Sequence, residues 1–438
     1  MKTTAAWRRF GDHAARVLYG DAPPAARARA NTTAGPPASR GLYLGWGSQG
    51  PVNAGPEHHA LVLGPPRSGK TSRLVAPALI AHPGPAVVTS TKPDVIWATH
   101  THRSRLGRCW YWDPSGTTVV PADLEPATWS PVLGCDIWDH AVARAHALAG
   151  AARPNQAAHD AHWVERAQAL LAPLLHAAAI GNGDLAVLLS WLHTRCLDIP
   201  MALLEEHDAR RPAALLKGLT RTDGRELSGI FSTADSLLAA YRTDAALHAA
   251  RYPAFDPDYF AASTDTLYLV SPAATQAVHA ALVVCLLDQI RTAAYRWHPR
   301  PAMLLALDEV ANIAPLADLP ATLAEGGSQG LVVLACLQDL SQARSRWAGA
   351  ADGFLTLFTH KIVLPGIADV DTLKAISALA GDTDVTVASE TATNTLIPKR
   401  SVTWSLRRQP ALPPERVAAG PPGTAILISG ARLARVAI

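Results

Sequence analysis

The chain has 438 residues, of which 49% are hydrophobic and 17% charged, and its formal net charge is +3. This composition excludes a disordered or fibrous protein, and the length suffices for two or three globular domains of about 100–200 residues each. The small positive charge permits nucleic acid as a partner but does not by itself indicate one.

Residues 1–40 are predicted to form a basic segment followed by a linker. Apolar residues recur there at helical spacing beside arginines, at Trp7, Phe10, Ala14, Val17 and Leu18. Such a helix could lie on an acidic membrane surface or contact a partner, although a terminal helix with neither role is the commoner case. Residues 21–40 are poor in large apolar residues, which is typical of a linker.

The sequence GPPRSGKT at residues 64–71 follows the apolar run Leu61–Leu63 and precedes a predicted helix that ends near Ala81. It fits the G-x-x-x-x-G-K-[ST] loop, whose backbone N–H groups surround phosphates with the positive end of a helix behind them. A chance turn before a helix is the weaker alternative, because strand, loop and helix occur in the required order. The predicted nucleotide-binding residues are Gly64, Pro65, Pro66, Arg67, Ser68, Gly69, Lys70 and Thr71. In this pattern Lys70 meets the β- and γ-phosphates, and the Thr71 hydroxyl binds Mg²⁺.

Two further buried strands are predicted at residues 85–90 and 109–112, each followed by polar residues. Alternation of such strands with helices is typical of a parallel sheet covered by helices, in which ligands bind at the carboxyl ends of the strands. From residue 131 to residue 256 the apolar period changes to about 3.6, with glycine and proline between the periodic stretches. This pattern predicts an all-helical block inserted into the sheet domain.

Apolar runs that predict strands return at residues 266–271, 301–307, 331–337, 361–364 and 423–429. The second of these ends in Asp308 and Glu309. A carboxylate at the tip of the strand beside the phosphate loop is predicted to hold Mg²⁺, and the next one to activate water. The third run ends in Gln338, which is predicted to contact the γ-phosphate or the attacking water. The alternatives are that Asp308 and Glu309 only cap a helix and that Gln338 lies in a surface turn. Residues 382–402 are predicted to form an exposed hairpin or loop.

The five cysteines form no Cys-x-x-Cys pair, which favours buried thiols in a reducing compartment over disulfides. No run of about 18 apolar residues is apparent, and residues 1–19 lack the apolar centre of a signal peptide. The expectation is therefore a cytoplasmic protein without a transmembrane segment.

Taken in order, these motifs resemble the type IV secretion coupling protein family, the RecA-like motor ATPases of bacterial conjugation. The resemblance covers residues 41–438, and the segment DEVANIAPL with its spacing to Gln338 is its most specific part. The other segments that carry it are GPPRSGKT, Thr89–Asp94, Asp113–Pro114, the helical block and Thr266–Val270.

The resemblance implies an α/β fold: a RecA-like P-loop NTPase with a mostly parallel central sheet, interrupted by an inserted all-α domain. The implied nucleotide-binding domain comprises residues 41–130 and 257–438, and the all-α domain residues 131–256. The family's site residues correspond here to Lys70 and Thr71 for phosphate and Mg²⁺, Asp308 for Mg²⁺, Glu309 for water activation and Gln338 for sensing. The implied cofactors are ATP and Mg²⁺.

The implied partners are DNA, expected to be single-stranded, or a relaxase-type nucleoprotein, together with secretion-channel proteins of the membrane and further copies of the chain in a hexamer. The chain departs from the family in two respects. Members usually begin with transmembrane helices, so membrane contact here would need a partner or the basic segment. Many members also carry an arginine after the acidic strand that reaches the neighbouring subunit's site. Residues 325–330 contain none, and Arg344 and Arg346 are the candidates if this chain has such an arginine.

Three functions are consistent with these residues. The first is an ATP-driven coupling protein of conjugation, and the second is another RecA-like DNA translocase or packaging ATPase. The third is an ATP-binding substrate receptor that is not a motor. DNA-stimulated ATP hydrolysis separates the first two from the third.

Overall fold

The computed structural model describes residues 41–150, 158–392 and 400–438. The helix and linker predicted within residues 1–40 lie outside the described residues.

The described strands form one twelve-stranded sheet and one separate two-stranded ribbon. The sheet consists of β1 Tyr43–Gly47, β2 Gly50–Asn53, β3 Ala60–Leu63, β4 Ala86–Ser90, β5 Cys109–Trp112, β6 Glu125–Pro126, β7 Thr266–Val270, β8 Met303–Leu307, β9 Leu331–Leu337, β10 His360–Val363, β13 Thr424–Ser429 and β14 Arg432–Ala437. The ribbon consists of β11 Asp382–Ala392 and β12 Arg400–Pro410.

The strand order of the sheet is β2-β1-β14-β13-β10-β3-β9-β8-β4-β7-β5-β6. Every neighbouring pair from β10 to β6 is parallel, whereas β13, β14, β1 and β2 pair antiparallel at one side. The central strands are wholly buried apolar runs, as expected for parallel strands covered on both faces. The mostly parallel sheet predicted from the sequence is therefore present.

The helices follow in chain order. They are α1 Ala76–Ala81, α2 Asp94–Arg103, α3 Trp138–Gly150, α4 Ala158–Ile180, α5 Leu185–Thr194, α6 Asp198–Glu206, α7 Arg210–Thr220, α8 Gly224–Leu237, α9 Asp244–Arg251, α10 Pro257–Ala261, α11 Gln276–Trp297, α12 Val310–Ile313, α13 Leu319–Glu325, α14 Leu340–Trp347, α15 Phe354–Leu357, α16 Val370–Ala380 and α17 Pro414–Ala418. A π-helical turn, Thr71–Val75, leads into α1, and 3₁₀ turns lie at Ala239–Arg242 and Ala348–Gly353.

The two faces of the sheet belong to two different apolar cores. Val62 of β3 packs with residues of α1 and α2, whereas Leu61 and Leu63 belong to the core that contains α11. This alternation follows from the strand period of two. The core that contains α11 also includes residues of the helices from α3 to α10. The helical block therefore shares one apolar core with the sheet face that carries Leu61 and Leu63.

One described helix, α11, is long and apolar enough to cross a membrane by length and composition, and the sequence analysis did not single it out. In the fold, 61% of its most apolar stretch is buried inside the protein. The five cysteines are free thiols, and all except Cys196 are buried.

Candidate functional site

The carboxyl ends of three neighbouring strands bring the predicted site residues to one edge of the sheet. Leu63 of β3 pairs with Leu337 of β9, and the Gly64 N–H donates to the Leu337 carbonyl at 3.2 Å. Gln338 therefore lies beside the start of the phosphate loop. On its other side β9 pairs with β8, which ends immediately before Asp308.

The sequence analysis did not predict the order of these strands. In the structure β9 lies between β3 and β8. Apolar runs identify strands but do not order them, because order depends on contacts between distant segments. This order places Gln338 between the phosphate loop and the acidic pair.

The phosphate loop is a tight turn that leads directly into a helix. Gly69 has a φ of +96°, a backbone conformation that side-chain-bearing residues rarely adopt. The Arg73 N–H donates to the Gly69 carbonyl at 2.8 Å and closes the first turn after the loop. The Ser68 hydroxyl oxygen is buried without a hydrogen-bond partner among the described residues. A buried, unpaired hydroxyl in a loop of this shape provides a contact for a ligand.

The Lys70 ammonium lies across the mouth of the loop. Its Nζ donates to the Gly64 carbonyl at 2.5 Å and to the Pro65 carbonyl at 3.1 Å. The side chain is only partly buried, and two carbonyls are weaker partners for an ammonium than a phosphate group would be. Two backbone carbonyls of the loop therefore hold the Lys70 ammonium against it.

Thr71 and Asp308 are in direct contact although they are 237 residues apart in the chain, the Thr71 hydroxyl donating to the Asp308 carboxylate. Thr89 of β4 donates its hydroxyl to the Asp308 backbone carbonyl at 3.0 Å. Asp308 is 6% exposed, and burial raises the pKa of its carboxyl, against the opposing effects of the Thr71 hydrogen bond and the Lys70 charge. A buried carboxylate and a hydroxyl at this position are ligands suited to Mg²⁺. The residues present therefore fit a magnesium–nucleotide complex.

Glu309 follows Asp308 at the start of α12 and has left-handed backbone angles, φ 53° and ψ 47°. Its Oε2 accepts a hydrogen bond from the Asn312 side-chain amide at 3.4 Å. Gln338 is half-buried, and its backbone N–H donates to the Gln342 side-chain oxygen at 2.8 Å. The structure thus places both residues at the predicted edge, and their roles stay predictions.

The two arginines predicted as candidates for a neighbouring subunit's site both contact their own chain. Arg344 forms a salt bridge with Asp369 at 3.2 Å, and Arg346 Nε donates to the Ala311 carbonyl at 2.8 Å.

The sequence analysis did not assign roles to Thr89, Asn312 or Gln342, which contact the predicted residues. Thr89 and Asn312 lie within segments that carried the family resemblance, and that was the available signal. Gln342 gave no signal, because only the fold brings the first turn of α14 back to the end of β9.

Comparisons with known proteins agree on one family. A family model described as Type IV secretory system Conjugative DNA transfer matches residues 25–432. The Conjugal transfer protein TraG of Escherichia coli is 27% identical over 427 residues, which cover 87% of this chain. The match spans 65% of the length of that relative.

Solved structures of a conjugative coupling protein share the fold. The unbound bacterial conjugative coupling protein TrwBdeltaN70 superposes with a TM-score of 0.67 at 19% identity, covering 93% of this chain and 90% of that one. The plasmid coupling protein TrwB in complex with ADP and Mg²⁺ has a TM-score of 0.66 at 18% identity, with the same coverage. These neighbours and the sheet confirm the predicted α/β motor fold with its helical insertion. Because the family model covers most of its length, the chain belongs to the type IV secretory system conjugative DNA transfer family.

Proposed function

We propose that the chain is an ATPase that recruits DNA or a nucleoprotein and drives it into a type IV secretion channel. The observation that carries this proposal is the contact between Thr71 of the phosphate loop and Asp308 at the tip of β8. Two segments far apart in sequence meet there in the arrangement that P-loop enzymes use for magnesium and triphosphate.

Each site residue has a distinct proposed task. Lys70 binds the β- and γ-phosphates, and Thr71 and Asp308 hold Mg²⁺, which when bound neutralises charge on the phosphates. Glu309 orients the attacking water and accepts its proton. Gln338, on the strand between the loop and the acidic pair, senses the γ-phosphate.

The proposed partners follow from the family. They are single-stranded DNA or a relaxase-type nucleoprotein, the membrane proteins of the secretion channel, and five further copies of the chain in a homo-hexamer. The proposed location is the cytoplasm, at the membrane face where a channel protein holds the chain. The proposed division is a basic segment and linker at residues 1–40, a nucleotide-binding domain at 41–130 and 257–438, and an all-α domain at 131–256.

The deciding experiment measures ATP hydrolysis by the purified full chain with and without single-stranded DNA at low salt, where phosphate contacts are strongest. A motor is expected to hydrolyse ATP faster when DNA is present. Hydrolysis that DNA does not stimulate at any low salt concentration would favour a substrate receptor that is not a motor.

Glu309→Gln tests the assigned chemistry. The amide keeps the shape of the side chain but cannot accept the proton, so hydrolysis is expected to fall by roughly 10²–10⁴-fold while the magnesium–ATP complex still binds. Glu325→Gln is the matched control, because Glu325 is exposed at the end of α13 and lies outside the site. Hydrolysis by Glu309→Gln at the control's rate would refute the assignment of the water-activating residue.

A further inference from the structure

Glu309 occupies an unfavourable backbone conformation at the turn between β8 and α12. Left-handed angles are uncommon for residues with a side chain, and they persist only where the surrounding structure enforces them. The turn therefore fixes the direction in which the Glu309 side chain leaves the backbone.

Asn312 holds the other end of that side chain. Its Nδ2 donates to Glu309 Oε2 at 3.4 Å, and its backbone N–H donates to the Glu309 carbonyl at 2.9 Å. This side-chain contact joins the Glu309 carboxylate to the residue one helical turn further along the chain. Because an amide N–H is far too weak an acid to give up its proton, it can orient the carboxylate without protonating it.

The helix that carries Asn312 depends on outside support. It has only four residues, too few to be stable alone, and its residues Val310, Ala311 and Ile313 are buried. Arg346 of α14 donates a hydrogen bond from Nε to the carbonyl of Ala311, at 2.8 Å. Ala311 is the residue immediately before Asn312. The next residue, Trp347, donates its indole N–H to the Leu316 carbonyl at 2.7 Å.

The same helix, α14, also reaches the strand between the acidic pair and the phosphate loop. Gln342 accepts the Gln338 N–H at 2.8 Å, one turn before Arg346 on α14. One helix thus supports both the segment that carries Glu309 and the end of β9.

We propose that Asn312 is a positioning residue that holds the Glu309 carboxylate ready for water activation. Arg346 acts within its own subunit by fixing the short helix that carries Asn312 through the Ala311 carbonyl. This inference rests on the proposed ATPase function.

The test compares ATP hydrolysis by the full chain as wild type, Asn312→Ala and Asn312→Asp, with the magnesium–ATP affinity of each measured separately. Loss of one charge-assisted hydrogen bond is expected to lower kcat by roughly tenfold to hundredfold and to leave nucleotide affinity within about twofold. Asn312→Asp keeps the size of the side chain but removes its N–H donor, so its kcat is expected to fall as far as that of Asn312→Ala. A purely structural role of Asn312 would instead lower nucleotide affinity together with kcat.

Arg346 is tested by rescue. Arg346→Ala is expected to lose activity, whereas Arg346→Lys keeps a donor for the Ala311 carbonyl and is expected to recover part of it. Ser345→Ala is the control, because Ser345 is exposed on α14 and its hydroxyl donates to the Gln342 carbonyl of the same helix.

An active wild type whose kcat is unaffected by Asn312→Ala would overturn this proposal alone. So would loss of nucleotide affinity in place of kcat, or an Asn312→Asp variant with the wild-type kcat. A wild-type chain without any ATPase activity would overturn the proposed function, and this inference with it.

Discussion

The loop after β10 covers the phosphate loop, and a single methyl group added there should disturb nucleotide binding. Gly366 has a φ of +97°, and a Cβ atom at this position would lie 3.1 Å from Cγ of Pro65. That distance is shorter than an ordinary contact by a few tenths of an ångström, so Pro65 would have to move. The Pro65 carbonyl accepts a hydrogen bond from Lys70 Nζ, so the displacement would reach the Lys70 ammonium, which is proposed to bind phosphate.

Gly366→Ala is expected to lower both the free energy of unfolding and the affinity for the magnesium–ATP complex. The backbone strain of alanine at this φ should lower the free energy of unfolding by about 1–3 kcal/mol. The displaced ammonium should weaken binding of the magnesium–ATP complex by roughly threefold to tenfold. This is less than the roughly 10²-fold loss of rate that a 1 Å misplacement can cause, because the movement here is a few tenths of an ångström.

Gly381→Ala separates the two effects. Gly381 has a φ of +71°, but no atom lies within 4 Å of its added Cβ, so only the strain applies. The assay titrates a fluorescent ATP analogue with Mg²⁺ into each variant and follows unfolding in urea. Wild-type affinity in Gly366→Ala, or an equal loss of affinity in Gly381→Ala, would refute the reasoning.

Two further predictions concern buried charges. Burial raises the pKa of Asp308, so folding favours the neutral form of its carboxyl. The stability gained in this way is lost as the pH rises through the raised pKa. Asp308→Asn should therefore raise the thermal midpoint of the nucleotide-free protein at neutral pH, and the increase should shrink as the pH is lowered. The same variant should lose the stabilisation that Mg²⁺ and ATP give. A lower midpoint of Asp308→Asn at neutral pH would contradict this reasoning. Arg103 is wholly buried and donates to four backbone carbonyls and the Thr266 hydroxyl, so Arg103→Leu should cost about 3–5 kcal/mol of unfolding free energy. The exposed Arg105→Leu should change that free energy by less than about 0.5 kcal/mol in the same urea titration, and equal losses in both variants would show that the buried hydrogen bonds contribute little.

Several elements were predicted correctly because their signals are local. The central strands are uninterrupted apolar runs, and the helices of the inserted block repeat apolar residues at a period near 3.6. The predicted exposed hairpin exists as β11 and β12 and extends to Pro410, while its tip lies outside the described residues. The antiparallel strands β1, β2 and β14 were not predicted, since they lack uninterrupted apolar runs.

The sequence by itself identified the residues of the candidate site. A glycine-bounded loop with Lys70 and Thr71, and a buried strand ending in Asp308 and Glu309, are patterns of neighbouring residues, and local patterns survive without knowledge of the fold.

Only the tertiary structure decided how those parts are joined. It inserted β9 between β3 and β8, placed Gly366 against Pro65, and connected Arg346 to the helix that fixes Glu309. The physical reason is that strand order and helix docking are set by packing between segments far apart in the chain. Many sequences with the same local pattern could satisfy that packing differently.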